Sequence, residues 1–286
     1  MNDPFTFNID KASLEVMNDQ KDRALLSLTP KAWESQFFKR RFAEMTVDVP
    51  GVAAVAPHAF GNLLQKTTQF ADEQGYRIIE TTLDIRGFDL IPAIEDAGFR
   101  LVDSNITFFT RIEKSTLPRF EVQTGQIGWA EPSDLNNIID LTVTGFVDNP
   151  RFFSRFNNRR YFSREESCAY YKAWIGNYFN DPGSLFAVWR QKGGCVGYFF
   201  YQHREPKEGC PVLKGMLAAV DRRYQNQKAH LAIQRFMFDQ LEYPVFYVDN
   251  TTQFSNFAVI KNHITAQRKL SAISMVFYRE RQTTLA

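Results

Sequence analysis

The stretch from Gly215 to Leu241, GMLAAVDRRYQNQKAHLAIQRFMFDQL, constrains the fold more than any other part of the chain. Met216 to Val220 is a short apolar run that reads as a buried strand. Asp221 to Lys228 is a polar, basic turn. Leu231, Ile233, Phe236, Met237 and Leu241 then recur among Gln234, Arg235, Asp239 and Gln240 with the period of a helix. A strand that feeds a loop and then opens a helix can hold an anion. The first-turn N–H groups lack intrahelical acceptors, and the helix dipole favours negative charge there. Arg222, Arg223, Lys228 and His230 would add positive charge at that end. One βα unit with a merely solvated basic turn has the same pattern, so both readings stand on the turn alone.

Composition narrows the function classes. The 286 residues suffice for one large domain or two smaller ones. Net charge is +2, from 34 basic and 32 acidic residues, which gives the whole chain no electrostatic footprint for nucleic acid or a membrane surface. Cys168, Cys195 and Cys210 are odd in number and have no His at ligand spacing, arguing against a metal site or a disulfide framework. A reduced compartment follows. No run approaches the roughly 18 apolar residues of a membrane span, and the polar N-terminus has no signal-peptide core. The expectation is a cytoplasmic protein. With 27 Phe residues, aromatic packing should dominate its core and any pocket.

In chain order, the spacing predicts a strand from Ala24, an aromatic segment at Trp33 to Phe42, a strand near Met45 to Val49, and a helix over 58–75 stopped by Gly75. A strand (77–84), a short helix (89–97) and a strand (106–111) follow, then a linker at Ser115 to Pro118. The second half opens on a strand from Glu121 to Trp129 and a helix started by Ser133 or Asp134. Gly145 to Tyr161 is aromatic and basic without a clean period. A helix over 164–179, a hairpin about Gln191 to Gly194, the Gly215 stretch, a strand (243–250), a helix from Ser255 and a strand (272–280) complete the order. Tyr76–Ile112 and Tyr243–Glu280 share the order strand, short helix, strand. An internal repeat and coincidental βαβ patterning both account for it.

The order in residues 120–280 resembles the GNAT acetyltransferase superfamily. The run Val220 to His230 is similar to its strand-end signature V-x-P-x-x-R/Q-G-x-G-x-G/A. Gln225 matches the R/Q position, while Asn226, Lys228 and His230 stand where that pattern has small residues. A closer resemblance is to bacterial sugar-nucleotide N-acetyltransferases of the dTDP-fucosamine type. It rests on Trp33-Glu34-Ser35-Gln36-Phe37-Phe38, on Gly98-Phe99-Arg100-Leu101-Val102-Asp103, and on Tyr170-Tyr171-Lys172-Ala173-Trp174-Ile175. The resemblance implies an α/β GNAT fold, a mixed, mostly antiparallel sheet flanked by helices, in residues 120–286. A truncated GNAT-like half would occupy residues 1–115.

It also implies a transferase that moves an acetyl group from acetyl-CoA to a primary amine, an amino sugar nucleotide or other small molecule, without a metal. Leu217, Ala219 and Val220 would carry the pantetheine arm. Gln225, Asn226, Gln227, Lys228, Ala229 and His230 would face the pyrophosphate. Asn256 falls at a coenzyme A contact, although Asn also favours helix starts for its own reasons. His263 stands where the superfamily usually has the Tyr that protonates the thiolate. It is a candidate acid, although a surface or packed His is the commoner reading of a lone His. Arg151, Phe152, Phe156, Arg159, Tyr171 and Trp174 would flank the acceptor, through Arg–phosphate forks and stacking. The same stretch is compatible with single-stranded nucleic acid, which the net charge opposes, and with a flap or a homodimer contact. A GNAT-shaped protein that binds a ligand or partner without acetylating it is the alternative that the glycine losses and the missing Tyr keep open.

Overall fold

Buried side chains along β8 (Ser184–Gln191) and β9 (Gly194–Lys207) divide by parity. Phe186, Val188, Tyr198 and Phe200 meet one core with Ile138 and Ile175. Ala187, Trp189, Phe199 and Tyr201 meet another with Ile233, Met237 and Phe238. A strand buried on both faces must show this period-two split. It sets the sheet between α4 (Leu135–Thr142) and α5 (Arg164–Phe179) on one side and α6 (Ala229–Gln240) on the other.

The structure is a computed structural model that describes residues 5–8, 13–17, 23–48, 57–192, 194–225 and 227–281. Its contacts define two compact units, Asn105–Ala272 and Met1–Ser104 with Ile273–Ala286.

In the first of these, the strand order is β6 (Arg100–Glu113, from Asn105 on), β11 (Val245–Gln253), β10 (Cys210–Val220), β9, β8 and β7 (Gln126–Trp129). Every neighbouring pair is antiparallel except β10 with β11, which α6 connects in parallel. A short helix, α7 (Phe257–Thr265), follows β11.

The other unit orders β1 (Phe5–Asn8), β2 (Ser13–Met17), β3 (Arg23–Pro30), β4 (Phe42–Asp48), β5 (Ile78–Asp84) and β12 (Leu270–Glu280, from Ile273 on). Here β4 and β5 are the parallel pair, connected through α2 (Pro57–Glu73). Helix α1 (Ala32–Phe38) precedes β4, and α3 (Ile91–Asp96) follows β5. Leu26, Met45, Phe60, Leu64, Ile79, Ile94, Phe99 and Phe277 share its core.

Both units therefore repeat one plan: an antiparallel meander, a helical crossover, a parallel strand, then a short helix. The similar stretches in the sequence are β5–α3–β6 and β11–α7–β12. The expected halves, 1–115 and 120–286, differ from the contact units at two strands, since β6 from Asn105 on belongs to the Asn105–Ala272 unit. Residues from Ile273 on group with the N-terminal unit because β12 pairs with β5, from Ser274↔Asp84 to Glu280↔Ile78.

Element boundaries differ as well, and β6 begins at Arg100 rather than Ile106. The strand expected over 121–129 forms only at β7, with residues 121–125 irregular. Strand β10 begins at Cys210 rather than Met216, because Glu208 and Gly209 form a two-residue hairpin loop with φ of 52° and 73°. Positive φ at both central positions is the hairpin turn matched to strand twist. No helix among the described residues is long and apolar enough to cross a membrane.

Candidate functional site

Strands β10 and β11 pair only from Val212↔Tyr247 to Gly215↔Asn250. Beyond that point β10 continues to Val220 and β11 to Gln253 without pairing to each other. A β-bulge accounts for the parting. Gly215 lies opposite Tyr201 while Leu217 lies opposite Phe200, so Met216 is an extra residue on β10. Such an insertion bends its strand and strengthens its twist. Gly215 has a second role: a Cβ there would stand 2.0 Å from Asn250 Oδ1. The edge of Met216 to Val220 that faces β11 is thus left without a strand partner. Leu217 and Ala219 side with the Ile138–Ile175 core, and Val220 with the α6 core.

The turn after Val220 is more self-satisfied than its basic sequence suggests. Asp221 accepts from Arg223 N at 2.9 Å and Arg223 Nη2 at 2.6 Å, which holds its carboxyl below the usual range. Arg222 Nη2 donates to Asn149 Oδ1 at 3.1 Å. Gln225 is exposed and donates to the Val220 carbonyl at 3.4 Å. Gln227 is half-buried and Ala229 buried; Asn226 lies outside the described residues. Lys228 is exposed and N-caps α6 with φ 55°, making no side-chain cap bond. That is the left-handed conformation that glycine adopts without strain.

His230 does not contribute the expected positive charge. Its ring meets Phe199 at 5.0 Å and His263 at 5.8 Å, centroid to centroid, and its Nδ1 is enclosed without a partner. Burial, then Arg268, pushes its pKa down to about 4. His263 is 2% exposed and packs on Phe108 at 4.7 Å. Burial, then His230 and Arg268, pushes its pKa down to about 3. At neutral pH that leaves the His263 imidazole uncharged in the free protein. Asn256 is the N-cap of α7, its side chain accepting from Val259 N at 3.4 Å.

Around the two imidazoles lie polar residues that the sequence reading missed. Tyr201, Gln234, Asn250 and Arg268 are at most 8% exposed, and each has an enclosed polar atom without a hydrogen-bond partner. Burial drives the Tyr201 hydroxyl up, with Arg268 and Asn250 opposing. Gln234, expected on the polar side of α6, is on its buried side, one turn from His230. That i, i+4 step is the only sequence signal linking them.

No protein-family model matches the sequence, and a search of curated proteins finds no match. Solved structures do match. A GCN5-related N-acetyltransferase from Sphaerobacter thermophilus superposes with a TM-score of 0.60 at 13% identity, over 94% of this chain and 80% of that one. A conserved protein of unknown function from Staphylococcus epidermidis gives 0.62 at 11% identity, over 94% of both chains. A tandem GNAT protein from the clavulanic acid biosynthesis pathway gives 0.57 at 9%, over 95% of this chain and 83% of that one. The fold is GNAT-like.

In this GNAT-like fold the stretch expected to flank the acceptor is tied into α5 by packing. Phe156 stacks on Tyr170 at 4.3 Å, under the Arg155 guanidinium at 4.7 Å. Phe152 meets Phe146 edge-on at 4.7 Å. Tyr171 is buried and its hydroxyl lies 3.1 Å from Ser154 Oγ. Trp174 closes the cluster against Tyr170, Tyr171 and Tyr178. Arg159 donates to Ser167 Oγ at 3.1 Å and to the Val147 carbonyl. Arg151 and Phe153 remain exposed. No cluster of His, Cys, Asp or Glu suited to a metal occurs among the described residues.

Proposed function

We propose that the chain is a coenzyme-A-dependent N-acyltransferase, moving an acetyl group from acetyl-CoA to a primary amine on a small molecule such as an amino sugar nucleotide. The observation that carries this reading is the parting of β10 and β11 after Gly215↔Asn250, followed at once by the amino end of α6. The residues fit the donor. Leu217, Ala219 and Val220 offer backbone N–H and C=O groups along a strand edge with no strand partner, suited to the amides of a pantetheine arm. Lys228 supplies exposed positive charge where α6 opens, and the α6 dipole favours a phosphate there. The His230 ring, which could have obstructed this end, is instead packed against Phe199 and His263.

Bound acetyl-CoA would supply an activated acyl carbon to a neutral amine: the N–C bond forms, the C–S bond breaks, and the proton shed by the amine nitrogen ends on the departing thiolate. The chain's part is to hold the two reactants together and exclude water. His263, held neutral by its surroundings, serves as a positioning group rather than a proton carrier. Asn250 stands at the point where the strands part, its enclosed amide beside the Tyr201 hydroxyl.

A second reading is a GNAT-shaped protein that binds such a ligand without transferring from it. The low pKa of His263 favours it, because the usual thiolate acid is missing. Titration calorimetry with acetyl-CoA, followed by a thiol-release assay over a panel of amines and amino sugar nucleotides, separates the two. Binding with amine-dependent thiol release supports the transferase. Binding without release supports the second reading, and no heat at millimolar acetyl-CoA overturns both.

A further inference from the structure

We propose that Lys214 and Asp249 select the acceptor, and that it is an amine carrying its own carboxylate or phosphate a few bonds away. This selection rests on the acyltransferase reading of the same site and narrows its acceptor.

Lys214↔Asp249 is the rung of the parallel ladder just before Gly215↔Asn250. The pair therefore stands one residue, about 3.3 Å along the strand, from the point where β10 and β11 part. Successive strand residues face opposite sides of a sheet. Gly215 and Asn250 share a face with Leu213 and Val248, which belong to the α6 core. That face is closed at the parting, where Asn250 and Tyr201 are at most 2% exposed. Lys214 and Asp249 are on the other face, with 34% and 21% of their side chains exposed. A second substrate thus reaches the parting from their side.

Asp249 Oδ2 accepts from Lys214 Nζ at 3.1 Å. Its Oδ1 is enclosed and has no hydrogen-bond partner among the described residues. An incoming amine must therefore meet Asp249 where Lys214 now does. A plain ammonium would put two cations against one carboxylate, and the neutral pair offers it no net attraction. An amine that brings an anion exchanges partners instead. Its N–H groups donate to Asp249, and its anion accepts from Lys214, so both ends make charge-assisted bonds. The short Lys214–Asp249 separation sets the spacing, which is why the two groups of the acceptor must be only a few bonds apart. Gln202 pairs with Lys214 in register from the β9 side. It donates to Asp181 Oδ2 at 3.0 Å, while Asp181 Oδ1 accepts from Gly183 N. Asp181 is thus already committed and does not compete with Asp249 for the amine.

The test uses the full chain and matched probes: L-amino acids, 2-aminoethyl phosphate and glucosamine 1-phosphate, each against the same amine without its anion. Thiol release from acetyl-CoA gives kcat/KM, and calorimetry on protein saturated with coenzyme A gives Kd without turnover. The best anion-bearing amine should exceed its plain counterpart about tenfold by both measures, one charged hydrogen bond's worth. The carboxylate and phosphate arms show which anion Lys214 takes. Lys214→Met should abolish that tenfold preference while leaving acetyl-CoA affinity and Tm near those of the parent, since a partly exposed ion pair contributes little to stability. Should that variant not fold, Lys214→Gln replaces it with the same expectation. If acetyl-CoA does not bind, the acyltransferase reading falls and this selection with it. If acetyl-CoA binds but plain amines do as well as their anion-bearing partners, or the preference survives in the variant, only the selection by Lys214 and Asp249 is overturned.

Discussion

Asn250 lays its amide oxygen where a side chain on Gly215 would begin, 2.0 Å from the position of a Cβ. The two residues form the last pair of the parallel ladder, so the Asn side chain occupies the point from which β10 and β11 part. Gly215→Val should force that amide aside and destabilise the protein by about 1–3 kcal/mol, the usual cost of overpacking. Asn250→Ala in the same chain should recover part of the loss. A double-mutant cycle by urea unfolding checks this, and strictly additive effects would show that the two side chains do not compete.

Lys228 holds a left-handed backbone that costs a non-glycine residue roughly 1–2 kcal/mol. Lys228→Gly should therefore stabilise the fold by on the order of 0.5 kcal/mol after glycine's own entropic cost. The same change removes a charge from the amino end of α6, so acetyl-CoA affinity should fall. Lys228→Glu should lower it further, about tenfold at low salt and less at high salt. Calorimetry at two ionic strengths measures both. An affinity indifferent to Lys228→Glu would separate this residue from the phosphates.

These two predictions also mark how far the sequence is legible. The two-sided sheet is readable because Phe186 and Val188 alternate with Ala187 and Trp189, and α5 and α6 because their buried residues recur with helical period. Glycine at 215 is visible in the sequence, but the bulge at Met216 depends on what β9 places opposite it. Asn250 and Arg268 look like ordinary surface residues, since polar side chains are usually exposed. Their burial is decided by the packing of β11 and α7, which no local pattern encodes. His263 shows the converse. Its position in the motif is legible, but its protonation depends on Phe108, His230 and Arg268, which are distant in sequence. The exchange of the last strand is likewise invisible, because β6 and β12 have the same local character.

Acid should destabilise the fold before the carboxylates titrate. Folded His230 and His263 bind protons only near pH 4 and 3, whereas in the unfolded chain they do so near 6.5. Between those values the unfolded state holds more protons, so stability is full above pH 6.5 and falls as pH drops. Each His contributes up to about 1.4 kcal/mol per pH unit. Urea midpoints between pH 7 and 5 should decline steadily, and His230→Gln or His263→Gln should remove a large part of the slope. A flat midpoint over that range would mean that the imidazoles are reached by solvent.

The same neutrality governs turnover. If the chain transfers acetyl groups, His263→Ala should lower kcat by roughly an order of magnitude through lost positioning. The pH profile of kcat/KM between 5 and 8 should keep its shape, since no proton leaves His263 in that window. A profile that loses a limb in the variant would restore His263 as a proton carrier. An unchanged kcat would remove it from the mechanism.

Exposure separates packing from recognition in the aromatic stretch before α5. Phe156 is held between Tyr170 and the Arg155 guanidinium, so Phe156→Ala should cost about 2–4 kcal/mol, whatever the acceptor. Phe153 is 48% exposed and Arg151 is exposed, so neither is required by the core. Phe153→Ser and Arg151→Ala should leave Tm within about 1–2 °C of the parent, because surface changes of this kind are worth about 0.5 kcal/mol or less. If this segment meets a nucleotide-bearing amine, both changes should raise the KM for that amine several-fold while sparing the KM for acetyl-CoA, through lost stacking and a lost phosphate partner. Equal KM values in parent and variants would assign the stretch to packing alone and move the acceptor elsewhere on the unit.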